Sequence, residues 1–319
     1  MEKLVSILTP CYNGAKYIER YSKALLEQDY NNCQLIFMDD GSTDNSKEKI
    51  LSYKKQFEEK GFTFEYHYHE NKGVGATFAE GIKYVKGEFL VWPDVDDAFP
   101  PRSISTRVKF LMENPDLGLC RTKYNRFVDE KFESVRPLCI INDNDKHLFE
   151  DYLLSRNAWF QPGCYMARMS AFDDSNPDRY IYATRRGQNW QMLLPIMYKY
   201  KGGYYPEPLY DYYINSGSLS DETKDTLDTV IKRYDMYEEL IVATVNHMNI
   251  PEEEEYTKMV HCHYLKKKID VAFTYNEYEL AKISYDELKE FEQVDRTHYI
   301  KVLLLKYPLL NRLFKMIRK

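Results

Sequence analysis

The sequence predicts an α/β protein with a Rossmann-like, mostly parallel sheet flanked by helices, followed by a helical C-terminal region. Three observations carry this. Early in the chain, short apolar runs alternate with segments whose apolar residues recur at helical spacing, the signature of parallel βαβ units. Three of those runs end in polar clusters, TPCYNG, DDGSTD and DVDD. Ligands of parallel sheets bind beyond the carboxyl ends of the strands, so the clusters should converge on one edge. After Asp221 glycines become rare and long charged-and-apolar helical stretches take over.

In order, LVSILTP reads as a strand. Lys16 to Gln28 is a helix, with Tyr17, Ile18, Tyr21, Ala24 and Leu25 on its apolar face. QLIFMDD is a second strand. GSTDNSKEKI opens a second helix with Ser42, Thr43 and Asp44 as N-cap candidates. FTFEYHYH alternates as a strand, NKGVGATFAEGIKYVKG is a glycine-punctuated helix, and EFLVWP is a strand again. A helix from Arg102 to Glu113 stops at Asn114-Pro115. Leu117 to Tyr213 mixes short strands, loops and helices, including one from Trp190 to Tyr200. Pro206 and Pro208 then lead into LYDYYINSGSLS. We place a domain boundary near residue 220, giving units 1–220 and 221–319.

The chain has 319 residues and a net charge of −6, which argues against nucleic acid as a partner. Tyrosine is abundant, at 29 residues. It suits a sugar site or a membrane interface, although biased codon usage accounts for it equally well. Six scattered cysteines, Cys11, Cys33, Cys120, Cys139, Cys164 and Cys262, form no C-x-x-C pair. With no signal peptide and no uninterrupted apolar span, they imply reduced thiols in a cytoplasmic protein.

The DVDD cluster places Asp94, Asp96 and Asp97 directly behind an apolar strand. Adjacent carboxylates tolerate each other when a divalent cation neutralises them, and Mg²⁺ or Mn²⁺ prefers oxygen ligands. The same acids also suit the cap of a helix opened by Pro100-Pro101, so both readings stand. In DDGSTD, Asp40 can accept hydrogen bonds from a nucleobase or ribose, or simply serve a βα turn. In TPCYNG, Tyr12 can stack on a base, while Asn13-Gly14 suits a tight turn.

TPCYNG, DDGSTD, Asn71-Lys72-Gly73 and DVDD, in this order and spacing, resemble the family 2 glycosyltransferases over roughly residues 3–220. The resemblance implies a GT-A fold and transfer of a sugar from a nucleoside diphosphate donor, usually UDP-linked, with inversion and a Mn²⁺ or Mg²⁺ ion. It matches Pro10, Tyr12 and Asp40 to the nucleotide base, and Asn71 and Gly73 to a donor-site loop. Asp94 matches a donor position, Asp96 and Asp97 match metal positions, and Asp97 also has a catalytic part.

The chain departs from the family pattern in three places. Gln188 and Asn189 stand where a Glu-Asp pair supplies the general base, and an amide is no base at neutral pH. Either another carboxylate serves (Asp173, Asp174, Asp178, Glu207 or Asp211), or Gln188, Asn189 and Trp190 position the acceptor and the proton leaves late. A third possibility is a protein without turnover. Tyr213 and Asn215 occupy places where relatives carry Arg and His. Lys72, Arg185 or Arg186 is the candidate replacement charge. Thr77 and Phe78 replace a polar pair after Asn71.

Other motifs carry less. Gly73-Val74-Gly75 is a poor dinucleotide fingerprint because it follows the third strand. His67, His69 and the His261-Cys262-His263 run lack the spacing of a metal site and read as structural or surface histidines. The resemblance implies a glycan or lipid-linked acceptor in surface polysaccharide synthesis. Transfer to a protein or polyol, or nucleotide-sugar binding alone, are the alternatives.

From Arg296 to Lys319 the chain carries basic residues and no acid, with leucines, Phe314 and Ile317 between them. This basic amphipathic tail suits an anionic membrane surface on the inner face of the cell membrane, or packing on protein. Deleting Lys306 to Lys319 is expected to release the protein from anionic vesicles in a flotation assay while nucleotide binding persists. Retention on the vesicles after deletion overturns the membrane role.

Overall fold

The structure is a computed structural model that describes residues 2–136, 145–156, 161–185, 187–214, 225–307 and 309. Cys139, Arg186, Asn215 and most of the basic tail lie outside the described residues. The chain divides into two compact units, Met1–Ser220 and Asp221–Lys319.

The first unit is built on a mixed sheet. Strands β1 (Val5–Cys11), β2 (Cys33–Asp40), β3 (Thr63–His69) and β4 (Phe89–Val91) are parallel, in the order β3-β2-β1-β4. Strands β1 and β2 are buried along their whole length. That explains their continuous apolar runs, because a parallel strand covered on both faces has no solvent side. Beyond β4 the direction reverses. β7 (Tyr165–Arg168) runs antiparallel to β4 and to the first part of β5 (Leu117–Val128). β6 (Lys131–Arg136) runs antiparallel to the second part of β5, and β8 (Lys201–Ile214) runs parallel to it.

Helices α1 (Ile18–Leu26), α2 (Ser46–Ser52), α3 (Lys54–Lys60), α4 (Val74–Gly81) and α5 (Ser103–Glu113) follow the strands as the periodicity predicts. α6 (Asp145–Leu153), α7 (Met169–Ser175) and α8 (Asn189–Lys199) lie in the segment between β5 and β8. α4 packs against β1 and β2, with Gly81 in close contact with side chains of both strands. A Cβ there would stand 2.5 Å from Leu8 Cδ1 and 2.9 Å from Met38 Cγ. At the start of α2, Asp44 alone among the three cap candidates bonds the helix, accepting from the Ser46 N–H at 3.0 Å. Pro206 and Pro208 fall inside β8 rather than before it. The register shifts there, from Thr122↔Tyr205 to Lys123↔Pro208, so the ladder passes over residues that lack an N–H.

The second unit is helical: α9 (Leu227–Met248), α10 (Glu253–Tyr275), α11 (Tyr278–Glu290) and α12 (Arg296–Lys306). Leu265, Ile269, Ala272, Ala281, Leu288 and Leu305 form its core. Thr226 caps α9 in a reciprocal box with Thr229, and Asp295 caps α12. His261, on α10, is structural. Its two ring nitrogens meet Glu238 of α9 and Glu287 of α11. Among the described residues no helix is long and apolar enough to cross a membrane.

Burial alone would lower the His261 pKa, but the bonds to Glu238 and Glu287 outweigh it and raise it above the ordinary 6.5. Hydrogen bonding to Asp270, and then to Asp295, raises His298 likewise. A raised folded-state pKa stabilises the fold fully below the unfolded value and is lost as pH climbs through the folded one. Thermal stability of the full chain is therefore expected to fall as pH rises above about 6.5. The double variant His261→Gln, His298→Gln should flatten that slope.

Candidate active site at the carboxyl ends of the parallel strands

Side chains lock the first two strand-to-helix turns together. Asn13, at φ 48°, accepts from the backbone N–H groups of Thr43 (2.8 Å) and Asp44 (3.3 Å), and donates its own N–H to Ser42 Oγ (3.0 Å). Asp44 accepts in return from the Ala15 N–H at 3.1 Å. Pro10 is buried beneath this clamp, whereas Tyr12 stands 53% exposed.

Both aspartates at the end of β2 organise backbone. Asp39 accepts from the Ser42 N–H (2.8 Å) and the Tyr66 hydroxyl (2.6 Å). Asp40 accepts from the backbone N–H groups of Lys72 (2.7 Å) and Gly73 (2.9 Å), and from Asn71 Nδ2 (3.2 Å). It thus holds the Asn71–Gly73 turn in place. Two donors thus fill Asp40 Oδ2, while Oδ1, bonded by the Lys72 N–H, keeps a second lone pair for a ligand. Gly73 sits at φ 91°, and a Cβ there would lie 2.4 Å from Arg185 Cα, so only glycine fits the turn. Arg185 in turn donates to Asn71 Oδ1 at 2.7 Å. Thr77 and Phe78 are buried, Thr77 bonding back to the Gly73 carbonyl at 2.9 Å, so this pair packs the helix rather than lining the edge.

Asp94, Asp96 and Asp97 follow β4, and one ligand oxygen from each lies within 4.8 Å of the others. The capping reading falls away: α5 starts at Ser103, with no side-chain cap at Arg102. Asp97 is 1% exposed. Its Oδ1 accepts from the Tyr213 N–H at 2.8 Å and its Oδ2 from the Tyr210 hydroxyl. Burial, then Asp96, pushes Asp94 up to about 7. Burial, then Asp96 and Asp94, raises Asp97 well above the carboxylate range. Hard oxygen ligands brought this close fit a divalent ion.

β8 supports the acidic turn. The backbones of Asp211 and Ala98 exchange hydrogen bonds at 3.0 and 2.9 Å, one residue beyond Asp97. The fully buried Arg107 fastens α5 to this strand, donating to the carbonyls of Leu209 and Gly163. Of the alternative bases, Asp173 pairs with Arg179 at 2.7 Å, Asp174 with Lys199 at 3.3 Å, and Glu207 with Arg102 at 3.4 Å. Asp211 instead accepts from Asn125 Nδ2 at 2.7 Å, and burial raises its pKa.

The N-terminus of α8 meets the residues before the acidic turn through Trp92. Asn189 Oδ1 accepts from the indole N–H of Trp92 at 2.8 Å, and Trp92 lies two residues before Asp94. Gln188 is also buried. Trp190 turns inward, 6% exposed, and its N–H donates to the Tyr152 carbonyl at 3.1 Å. It packs the base of the site and presents no open face to an acceptor. Arg20 of α1, by contrast, reaches the acidic turn through the Asp96 carbonyl. Sequence reasoning missed it, because an arginine in an amphipathic helix reads as part of the solvated face.

The family model described as Glycosyl transferase family 2 matches residues 6–175, more than half of the chain. The chain belongs to glycosyltransferase family 2. This family 2 member is 37% identical to an uncharacterised glycosyltransferase of Rickettsia conorii over 139 residues, which is 42% of this chain and 21% of that one. It is 25% identical to a processive diacylglycerol beta-glycosyltransferase of Mycoplasma genitalium over 199 residues, 61% of this chain and 51% of that one. The match thus spans about half or less of these relatives. TarS residues 1–349 of S. aureus, solved with UDP-GlcNAc, share the GT-A fold at TM-score 0.63 and 14% identity, with 99% of this chain and 92% of that one covered.

Replacing Asn189 by Ala leaves the buried Trp92 N–H without its acceptor. Chemical denaturation is expected to show a loss of about 1–3 kcal/mol. Asn189→Asp keeps the acceptor oxygen and should lose much less. Equal losses in both variants would refute the Trp92 tie.

Proposed function

We propose that this family 2 glycosyltransferase is an inverting enzyme using a UDP-sugar donor and a glycan or lipid-linked acceptor in surface polysaccharide synthesis. One observation carries the reading: three carboxylates converge within 4.8 Å at the end of β4, on the sheet edge where the Tyr12 and Asp40 turns meet. Tyr12 offers its exposed ring for stacking the base, over Pro10. Asp40, Asn71 and Gly73 form the donor-site turn. Asp96 and Asp97 would hold a Mn²⁺ or Mg²⁺ ion, with Asp94 beside the donor; such an ion would offset charge building on the leaving diphosphate. Tyr210 and Tyr213 fix Asp97 in advance, so less reorganisation is needed on binding.

Gln188 and Asn189 are as buried as Trp190 and position the acceptor indirectly, Asn189 through its hold on Trp92. The acceptor proton passes to Asp211. The Ala98–Asp211 bridge supports that assignment, and so does burial, which moves the carboxyl toward the pKa of a useful base. The diacylglycerol acceptor in the name of the Mycoplasma relative and the basic tail support a lipid-linked acceptor at a membrane surface. The amides at 188 and 189 favour one second reading, a nucleotide-sugar-binding protein without turnover.

The test is a thermal-shift screen of nucleotide-sugars with and without Mn²⁺. A UDP-sugar at about 100 times its Kd should stabilise the protein by about 2.7 kcal/mol, and the metal-dependent part should vanish in Asp96→Asn. Stabilisation without donor hydrolysis or transfer selects the binding protein. No metal-dependent stabilisation by any nucleotide-sugar overturns both readings.

A further inference from the structure

Helix α1 carries a cation to the acidic turn. Arg20 Nη2 donates to the Asp96 carbonyl, and the guanidinium carbon lies 3.7 Å from the centre of the Tyr213 ring. Nη1 donates to Glu130 Oε1 at 3.1 Å, while Nε is buried with no hydrogen-bond partner. The ring of Tyr213 is itself stacked on Phe127 at 4.7 Å, so the platform under the guanidinium is rigid. Glu130 is different. Its side chain is 78% exposed, at the tip of the β5–β6 hairpin, where Asp129 and Glu130 both take left-handed φ values of 47° and 63°. An ion pair so exposed contributes little and exchanges readily.

Charge balance gives Arg20 a use. Three carboxylates, one divalent cation and a diphosphate together leave an excess of negative charge. A planar guanidinium anchored on the backbone of the same turn is suited to a phosphate oxygen. We propose that Arg20 binds the donor diphosphate, and that Glu130 holds its guanidinium when no donor is present. This rests on the nucleotide-sugar reading above. It assigns the positive charge to a helix ahead of the acidic motif rather than to Lys72 or Arg185, whose guanidinium is engaged with Asn71.

The experiment is calorimetric titration of the full chain, in Mn²⁺ at low salt, with UDP and with inorganic pyrophosphate. Uridine binding is followed by ligand-observed NMR. Arg20→Gln should weaken UDP and pyrophosphate about tenfold or more and leave uridine unchanged, and Arg20→Lys should recover part of the loss. Glu130→Gln changes only an exposed side chain and should tighten both phosphate ligands a few fold, about two to five. Equal loss of uridine and UDP in Arg20→Gln reduces Arg20 to a structural part and overturns the proposal. So does unchanged pyrophosphate binding in Arg20→Gln, or unchanged affinity in Glu130→Gln. If the wild type binds neither UDP nor pyrophosphate, the donor reading fails and this proposal fails with it; if it binds both, only the Arg20 assignment is at stake.

Discussion

Repulsion among Asp94, Asp96 and Asp97 governs the arrangement around them. Burial, and then the neighbouring acids, raise the pKa of Asp94 and Asp97, and carboxylates gathered at the end of a buried strand would spread apart if nothing held them. The holding groups come from three elements, β8, α1 and α8. Tyr210 and the Tyr213 N–H fix Asp97, the Ala98–Asp211 bridge secures the residue after it, Arg20 takes the Asp96 carbonyl, and Asn189 anchors Trp92 before the turn. Buried polar groups make such bonds because leaving them unmade costs more than the bonds gain. The acids are thus kept close, in the geometry a hard cation accepts.

The neighbouring turns follow the same economy of backbone donors. Asn13 and Asp44 exchange bonds between the first and second turns, and Asp40 gathers the N–H groups of Lys72 and Gly73. Short polar side chains at strand ends satisfy amides that no sheet or helix partner reaches. Three loops thereby become one rigid edge. The open ring of Tyr12 is left on it.

Much of this was legible in the residues. The continuous apolar runs before Cys11 and Asp40 betray strands buried on both faces, and the helical spacing after each makes the connection right for parallel pairing. Convergence of TPCYNG, DDGSTD and DVDD followed from that alone. The antiparallel half did not follow. β5 bonds β6, β7 and β8 at once, and no local period announces a strand with three partners. Trp190 read as an acceptor contact because its neighbours match a motif, but a motif does not say which way a ring turns.

The sequence by itself determined the fold class, the strand ends and the residues that meet at the sheet edge, because periodicity and turn chemistry are local properties. Tertiary structure alone decided which groups answer the acids. Tyr210, Asn189 and Arg20 come from distant segments, and their contacts depend on helix rotation and strand register. Those are set by packing the whole core, so no short stretch of the chain encodes them.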